Sequence, residues 1–212
     1  MNNNIFLFHY RCNCMIIGVT GPIGSGKKLV VKFLSKKLGY KIVRLSDFVE
    51  REIRRKGLEL SRENFQRIGN LLRKKYHNGI LAEFALKELN KDGIIDGIRN
   101  PGEIEYLREK LGKNFILIAV DVNKDWNRSR TERFKRILKR KRKGDPKTWS
   151  EFIKIDDIEL GFNSPKYGLR ILDCMKMADI FILNDSTIED LKKKVDKIVD
   201  RLKSNCKSTS GI

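Results

Sequence analysis

The sequence predicts an α/β fold, with a parallel sheet covered by helices on both faces and two helical insertions. Three observations predict it. Five short apolar runs, Met15–Thr20, Lys41–Leu45, Gly93–Ile98, Phe115–Val122 and Ile180–Asn184, alternate with stretches of helical periodicity, the pattern of parallel strands joined by crossover helices. Within those runs the apolarity is nearly continuous, as in Phe115-Ile116-Leu117-Ile118-Ala119-Val120, which is what a strand buried on both faces requires. The first run leads through Gly21-Pro22-Ile23-Gly24-Ser25-Gly26-Lys27 into a helical pattern, a strand, glycine loop and helix in succession. The expected element order is β-α-β-α-α-α-β-α-β-α-α-α-β-α.

The elements can be justified in turn. After the first strand, the loop glycines let backbone N–H groups turn inward around an anion. The helix marked by Leu29, Val30, Phe33, Leu34 and Leu38 adds the positive end of its dipole. In such a loop Lys27 reaches β- and γ-phosphates, and the next residue is ordinarily a Ser or Thr that ligates Mg²⁺. Here it is Lys28, which cannot ligate a cation.

The second strand gives way to an insertion from about Ser46 to Asn90. Asp47 stands at its start, either as a helix N-cap or as an acceptor contact and base. Arg51 and Arg55 share a helix face with it, and Arg73 lies in the next helix. Arginines of this kind suit a second phosphate pocket, because guanidinium binds phosphate bidentately.

Asp96 ends the third strand, where a carboxylate near Mg²⁺ is expected, unless it only caps the loop. Arg99 follows as a holder of an acceptor phosphate, and Asn100-Pro101 opens a helix with proline at its first position. Beyond the fourth strand, Arg128–Lys143 carries ten basic residues against one acidic, Glu132. Three readings stay open for it: a solvated helix face, a phosphate-clamping lid in which Arg133 and its neighbours neutralise a transferring phosphoryl group, or a nucleic-acid surface. Asp145, Asp156, Asp157 and Glu159 follow as partners for these cations. Thr148–Glu151 and Ser186–Glu189 fit capping boxes for the last helices.

Composition sets outer limits. One domain is the expectation for 212 residues, and 40% hydrophobic content supports a core. The net charge of +19 attracts polyanions. No run approaches the roughly 18 apolar residues of a membrane span. Residues 1–14 lack the pattern of a signal peptide and read as an extension, while residues 203–212 read as a flexible tail. Cys12 and Cys14 have no second pair to complete a zinc site. Reduced thiols in the cytoplasm are the expectation.

The chain resembles the nucleotide-kinase-like branch of P-loop proteins, in particular microbial dephospho-CoA-kinase-like or adenylate-kinase-like proteins and the P-loop portion of some deoxycytidylate deaminases. The resemblance runs from Met15 to Leu202 and is carried by Gly21–Lys27, Ser46-Asp47, Ile95–Asn100, Gly144–Phe152 and Ala178–Asp185. It implies a P-loop NTPase three-layer sandwich with a five-stranded parallel sheet in the order 2-3-1-4-5. It implies ATP held by Gly21, Gly24, Ser25, Gly26, Lys27, Lys28 and Leu29, with Asn184 near the adenine and Mg²⁺ at Asp96. A phosphorylated small-molecule acceptor is implied over residues 46–90, at Asp47, Arg51, Arg73 and Arg99, with a lid and helical insertion over 128–177. The expected function is that of a nucleoside or deoxynucleoside monophosphate kinase, or a related small-molecule kinase. The alternative is a catalytically weak nucleotide-binding regulatory or nucleic-acid-associated protein, because Lys28 departs from the pattern.

Overall fold

The computed structural model describes residues 15–142 and 144–208. Residues 1–14, Lys143 and the last four residues lie outside that description, and with them Cys12, Cys14 and part of the expected tail. Among the described residues five strands, β1 (Ile16–Thr20), β2 (Lys41–Arg44), β3 (Gly93–Asp96), β4 (Phe115–Asp121) and β5 (Ile180–Leu183), form one sheet in the order β2-β3-β1-β4-β5. Every pairing in it is parallel. Among the described residues nine helices connect and cover it: α1 (Lys27–Leu38), α2 (Leu45–Arg55), α3 (Arg62–Lys75), α4 (Ile80–Leu89), α5 (Pro101–Leu111), α6 (Trp126–Arg140), α7 (Trp149–Leu160), α8 (Ile171–Lys176) and α9 (Ile188–Ser208). A 3₁₀ turn, Gly112–Asn114, precedes β4.

Successive residues of the central strands face opposite sides of the sheet, and both sides are apolar. Ile16, Ile95 and Leu117 join one core with α2, α4 and α5. Ile17, Val19, Ile94, Ile118 and Val120 join the other with α1 and α9, through Val30, Leu34, Leu191, Val195 and Val199. A third, smaller cluster of Ile23, Ile137 and Phe152 packs α6 and α7 beneath the glycine loop.

Local chemistry explains most boundaries. Asn100 caps α5 and Glu103 returns the favour to the Asn100 backbone, with Pro101 at the first helical position. Thr148 and Glu151 form the expected capping box of α7. The expected box at Ser186 falls one residue later, because Thr187 rather than Ser186 accepts from the Asp190 N–H. The second strand ends at Arg44, and Leu45 already belongs to α2, so Asp47 lies inside the first turn of that helix and is not its N-cap. Helix α9 runs on past Leu202 to Ser208.

In a sheet of this topology ligands bind beyond the carboxyl ends of the strands. The glycine loop, Asp96 and Asn184 all stand at that edge, and the two insertions fold over it.

Candidate functional site

A cleft of about 740 Å³ opens at this edge, lined by the glycine loop, the start of α2, one face of α3, the turn after β3, the end of α6 and the face of α7. Gly26 precedes α1 with a left-handed φ of 94°, and no side chain caps the helix. The first N–H groups of α1 are therefore left for a ligand, and the helix dipole favours an anionic one. A Cβ on Gly26 would stand 2.2 Å from Asn184 Nδ2, and one on Gly24 (φ +83°) would stand 2.9 Å from the Arg133 carbonyl oxygen. Both glycines are required by close approach as well as by φ. The loop is strapped from outside: Asn184 Nδ2 donates to the Ser25 carbonyl at 2.9 Å and Arg136 donates to the Asn184 carbonyl at 2.7 Å. Ser25 Oγ is buried without a partner among the described residues. The uncapped helix start, the inward loop and this orphaned hydroxyl together fit a phosphate chain.

Lys27 Nζ donates to the Pro22 carbonyl at 2.8 Å. Burial and then the neighbouring Arg99 lower its pKa to about 8, against opposing attraction from Glu159 and Asp96. Lys28 lines the same cleft, and burial followed by Arg142 lowers its pKa too. The donor set does not fit a dedicated Mg²⁺ site. Lys28 offers no oxygen, and Asp96, 8% exposed, already has Arg44 4.0 Å away. Among the described residues no group of three or more His, Cys, Asp or Glu is placed to hold a metal ion.

Beyond the lysine lies a charged bridge that sequence reasoning did not assemble. Glu159 of α7, 5% exposed, accepts from Arg62 of α3 at 2.8 Å and pairs with Arg99 at 3.3 Å. Burial opposes its charge, but Arg99, Arg62 and Lys27 outweigh burial and hold its pKa below the ordinary range. Glu159 thus ties both insertions to the turn after β3. Asn100 adds a second tie, donating to the carbonyls of Lys166 and Gly168.

The structure sorts the predicted residues. Gly24, Gly26, Lys27, Lys28, Leu29, Asp96, Arg99, Arg73 and Asn184 line the cleft. Asp47 and Arg51 are not among its lining residues. Asp47 is half exposed and faces Arg44 at 4.0 Å. Arg51 stacks on Phe48 and pairs with Glu88 at 3.2 Å, because the α2 face that carries it looks out of the cleft. Arg133 departs furthest from expectation. It is fully buried, grips Asp156 through two nitrogens at 2.5 and 2.9 Å, and donates to Ser129 Oγ and the Ile23 carbonyl. It holds the underside of the glycine loop to α6 and α7 and does not face a phosphoryl group.

Arg73 is 3% exposed and bound to Glu103, so its charge is compensated. Arg62, Gln66 and Gly69, not singled out from the sequence, lie at helical spacing with the predicted Arg73 on the cleft face of α3. That spacing was visible in the sequence, whereas their acidic partners were not.

The basic stretch divides. Arg130 pairs with Asp156 and Asp157, Arg136 straps Asn184, and Arg140 pairs with Asp145 at 2.7 Å. Arg136, Arg140 and Arg142 line the cleft beside the loop. They make the end of α6 a positively charged wall of the site, and Lys143 lies outside the described residues.

Comparison with known proteins agrees with this architecture. A family model, AAA_17, described as an AAA domain, matches residues 20–154. The UPF0200 protein of Hyperthermus butylicus is 33% identical over 192 residues, covering 89% of this chain and 95% of the relative. A UPF0200 protein of Pyrococcus horikoshii is 30% identical over 198 residues, covering 90% and 99%. Among solved structures, TT1252 from Thermus thermophilus superposes with a TM-score of 0.56 at 20% identity, covering 90% of this chain and 98% of that one. A gluconokinase from Sinorhizobium meliloti 1021 gives 0.55 at 13%, covering 92% and 97%. The sheet order and flanking helices are those of the P-loop kinase fold.

Proposed function

The chain belongs to the AAA_17 family of AAA domains, a P-loop kinase family, and from that premise we propose that it transfers the γ-phosphoryl group of ATP to a phosphorylated small molecule. A nucleoside or deoxynucleoside monophosphate is the acceptor we favour. One observation carries this reading. Lys27 of the glycine loop and Arg99 of the turn after β3 meet in one cleft closely enough for Arg99 to depress the lysine's pKa. Two anion-binding groups from different elements, with Glu159 between them in charge, are what a donor phosphate and an acceptor phosphate need when brought together.

In this reading the α1 N-terminus and Lys27 hold the β- and γ-phosphates. Arg99 and Arg62, both paired with Glu159, turn from it to the acceptor. Arg136, Arg140 and Arg142 neutralise charge along the donor side. An acceptor that attacks through a phosphate oxygen needs no strong base, so the half-exposed Asp47 is not required. A magnesium ion bound with ATP would add charge neutralisation near Asp96, but this chain supplies no hydroxyl for it at Lys28. We place the protein in the cytoplasm. Among the described residues no helix is long and apolar enough to cross a membrane.

The test is Arg99→Ala. It should weaken acceptor binding by at least about tenfold, the loss of one charge-assisted contact, with ATP affinity little changed. An effect confined to ATP would show that the acceptor does not lie at Arg99. Lys28 favours a second reading, nucleotide binding with slow transfer, and its substitution is treated below.

A further inference from the structure

The inner end of the cleft contains a buried donor with nothing to donate to. Arg73 Nε and Nη2 both bond Glu103 Oε1, at 3.0 and 2.8 Å, while Nη1 is buried and has no partner among the described residues. Glu103 is fully buried and its second oxygen accepts the N–H groups of Arg99 and Asn100. It therefore cannot leave Arg73 without uncapping α5. The guanidinium charge is cancelled where it sits, and the N–H groups of Nη1 remain unmet among the described residues.

In front of that nitrogen is Gly69, buried in the interior of α3. Glycine there is conformationally unhelpful, since its φ is that of an ordinary helix and alanine is the better helix former. A Cβ built on it would meet only Arg73 Nη1 at 3.5 Å and a Val49 methyl at 3.7 Å, both ordinary contacts. No clash demands the glycine. What its absent side chain leaves is a flat window between cleft and Nη1. Val49, Phe65 and Leu81 line the cleft alongside it, and Gln66 adds an amide on the same helix face.

We propose that this window is the subsite for the acceptor's far end, and that this end is a flat heterocycle bearing a carbonyl or ring nitrogen, the chemistry of a nucleobase. The inference rests on the proposed phosphotransfer and specifies its acceptor. A phosphate or carboxylate would bring a second negative charge beside the buried Glu103, which is costly where the cation is already spent. A neutral lone pair satisfies Nη1 without that cost. Glycine admits the close approach of a planar edge, and the apolar walls suit its faces. The anionic end of the same molecule falls to Arg99 and Arg62. Arg73 thus becomes a reader of the base, in place of the phosphate clamp expected from sequence.

Gly69→Ala tests this, because substitution of Arg73 would strand Glu103 and threaten folding. Calorimetry would measure AMP, GMP, CMP and UMP, with ribose 5-phosphate as the baseless probe and shikimate as a ring carrying a carboxylate. Wild-type protein should bind at least one of the four monophosphates about tenfold or more tighter than ribose 5-phosphate, the worth of one hydrogen bond to a charged donor. Gly69→Ala should erase that margin, leave ribose 5-phosphate and ATP binding unchanged, and melt no lower than wild type. Equal binding of base-bearing and baseless ligands, a base preference that survives Gly69→Ala, or a preference for shikimate would each overturn the proposal. ATP binding distinguishes the two levels. If it is insensitive to Lys27→Ala, the phosphotransfer reading fails and the subsite falls with it; if it responds and the base preference is missing, the subsite alone is wrong.

Discussion

Replacing Arg133 with methionine should unfold more than it inactivates. The guanidinium is fully buried against a fully buried Asp156 and also satisfies Ser129 and the Ile23 carbonyl. Removing one member of a buried pair costs about 3–5 kcal/mol, because the other charge is left uncompensated. Arg130 still reaches Asp156 at 3.0 Å, which puts the expected loss at the low end, about 3 kcal/mol. For a chain of this size each kcal/mol shifts the melting temperature by roughly 2–4 °C. The variant should therefore melt about 6–12 °C lower by calorimetry, using the same scaling. Pairing it with Asp156→Leu should recover part of the loss, since an apolar pair can replace a buried ionic one. A variant that melts within a degree or two of wild type, yet cannot transfer phosphate, would refute this reasoning and return Arg133 to the reacting centre.

Other predictions concern the phosphate site. Triphosphate binding favours charged Lys27, whose pKa in the empty site is lowered to about 8. Affinity should be flat below that pH and fall by about tenfold per unit above it, until the pKa of the bound lysine is reached; an unchanged affinity up to pH 10 by titration calorimetry would contradict the assignment. ATP should bind nearly as well in EDTA as in Mg²⁺, and Lys28→Ser should make binding metal-dependent and raise kcat. A natural protein that already turns over at about 1–100 s⁻¹, with Lys28→Ser changing nothing, would show that Lys28 is no handicap. If the end of α6 is a wall of the nucleotide site, duplex DNA should bind weakly. A log–log salt slope of several units, at about 0.9 per phosphate neutralised, that disappears on neutralising Lys139 and Lys141 would point instead to a nucleic-acid surface.

Much of the fold was legible because its signals are local. Strands buried on both faces must be apolar throughout, and β1, β3 and β4 are. The glycine loop needs its glycines at fixed positions, and Asn100-Pro101 and Thr148–Glu151 announce the helices they start. The resemblance added the strand order, which no local pattern contains. The site was harder, because its logic is in pairings between distant residues. Nothing around Arg133 distinguishes it from Arg136 or Arg140, and only the fold shows that one is interior, one a strap and one a rim. Arg62 meets Glu159 across 97 residues, and Arg73 meets Glu103 across 30. A basic residue read alone is taken for a phosphate ligand until its acidic partner is found. Asp47 was misplaced for a different reason. Its helix begins at Leu45, earlier than the polar residues suggested, which puts its exposed side chain in the first turn facing Arg44.

Asn184 gives the loop a second owner. It directly follows β5, an edge strand of the sheet, and its side chain holds the Ser25 carbonyl 159 residues earlier in the chain. A strand at the margin of a sheet has a neighbour on one side alone and is the part most ready to open. An opening of that margin would release the Ser25 carbonyl and loosen the glycine loop. The traffic runs both ways: a ligand that tightens the cradle must slow hydrogen exchange in β5 and in the first turn of α9, although it touches neither helix nor strand beyond Asn184. A nucleotide bound as proposed would act as a rivet for the far edge of the molecule.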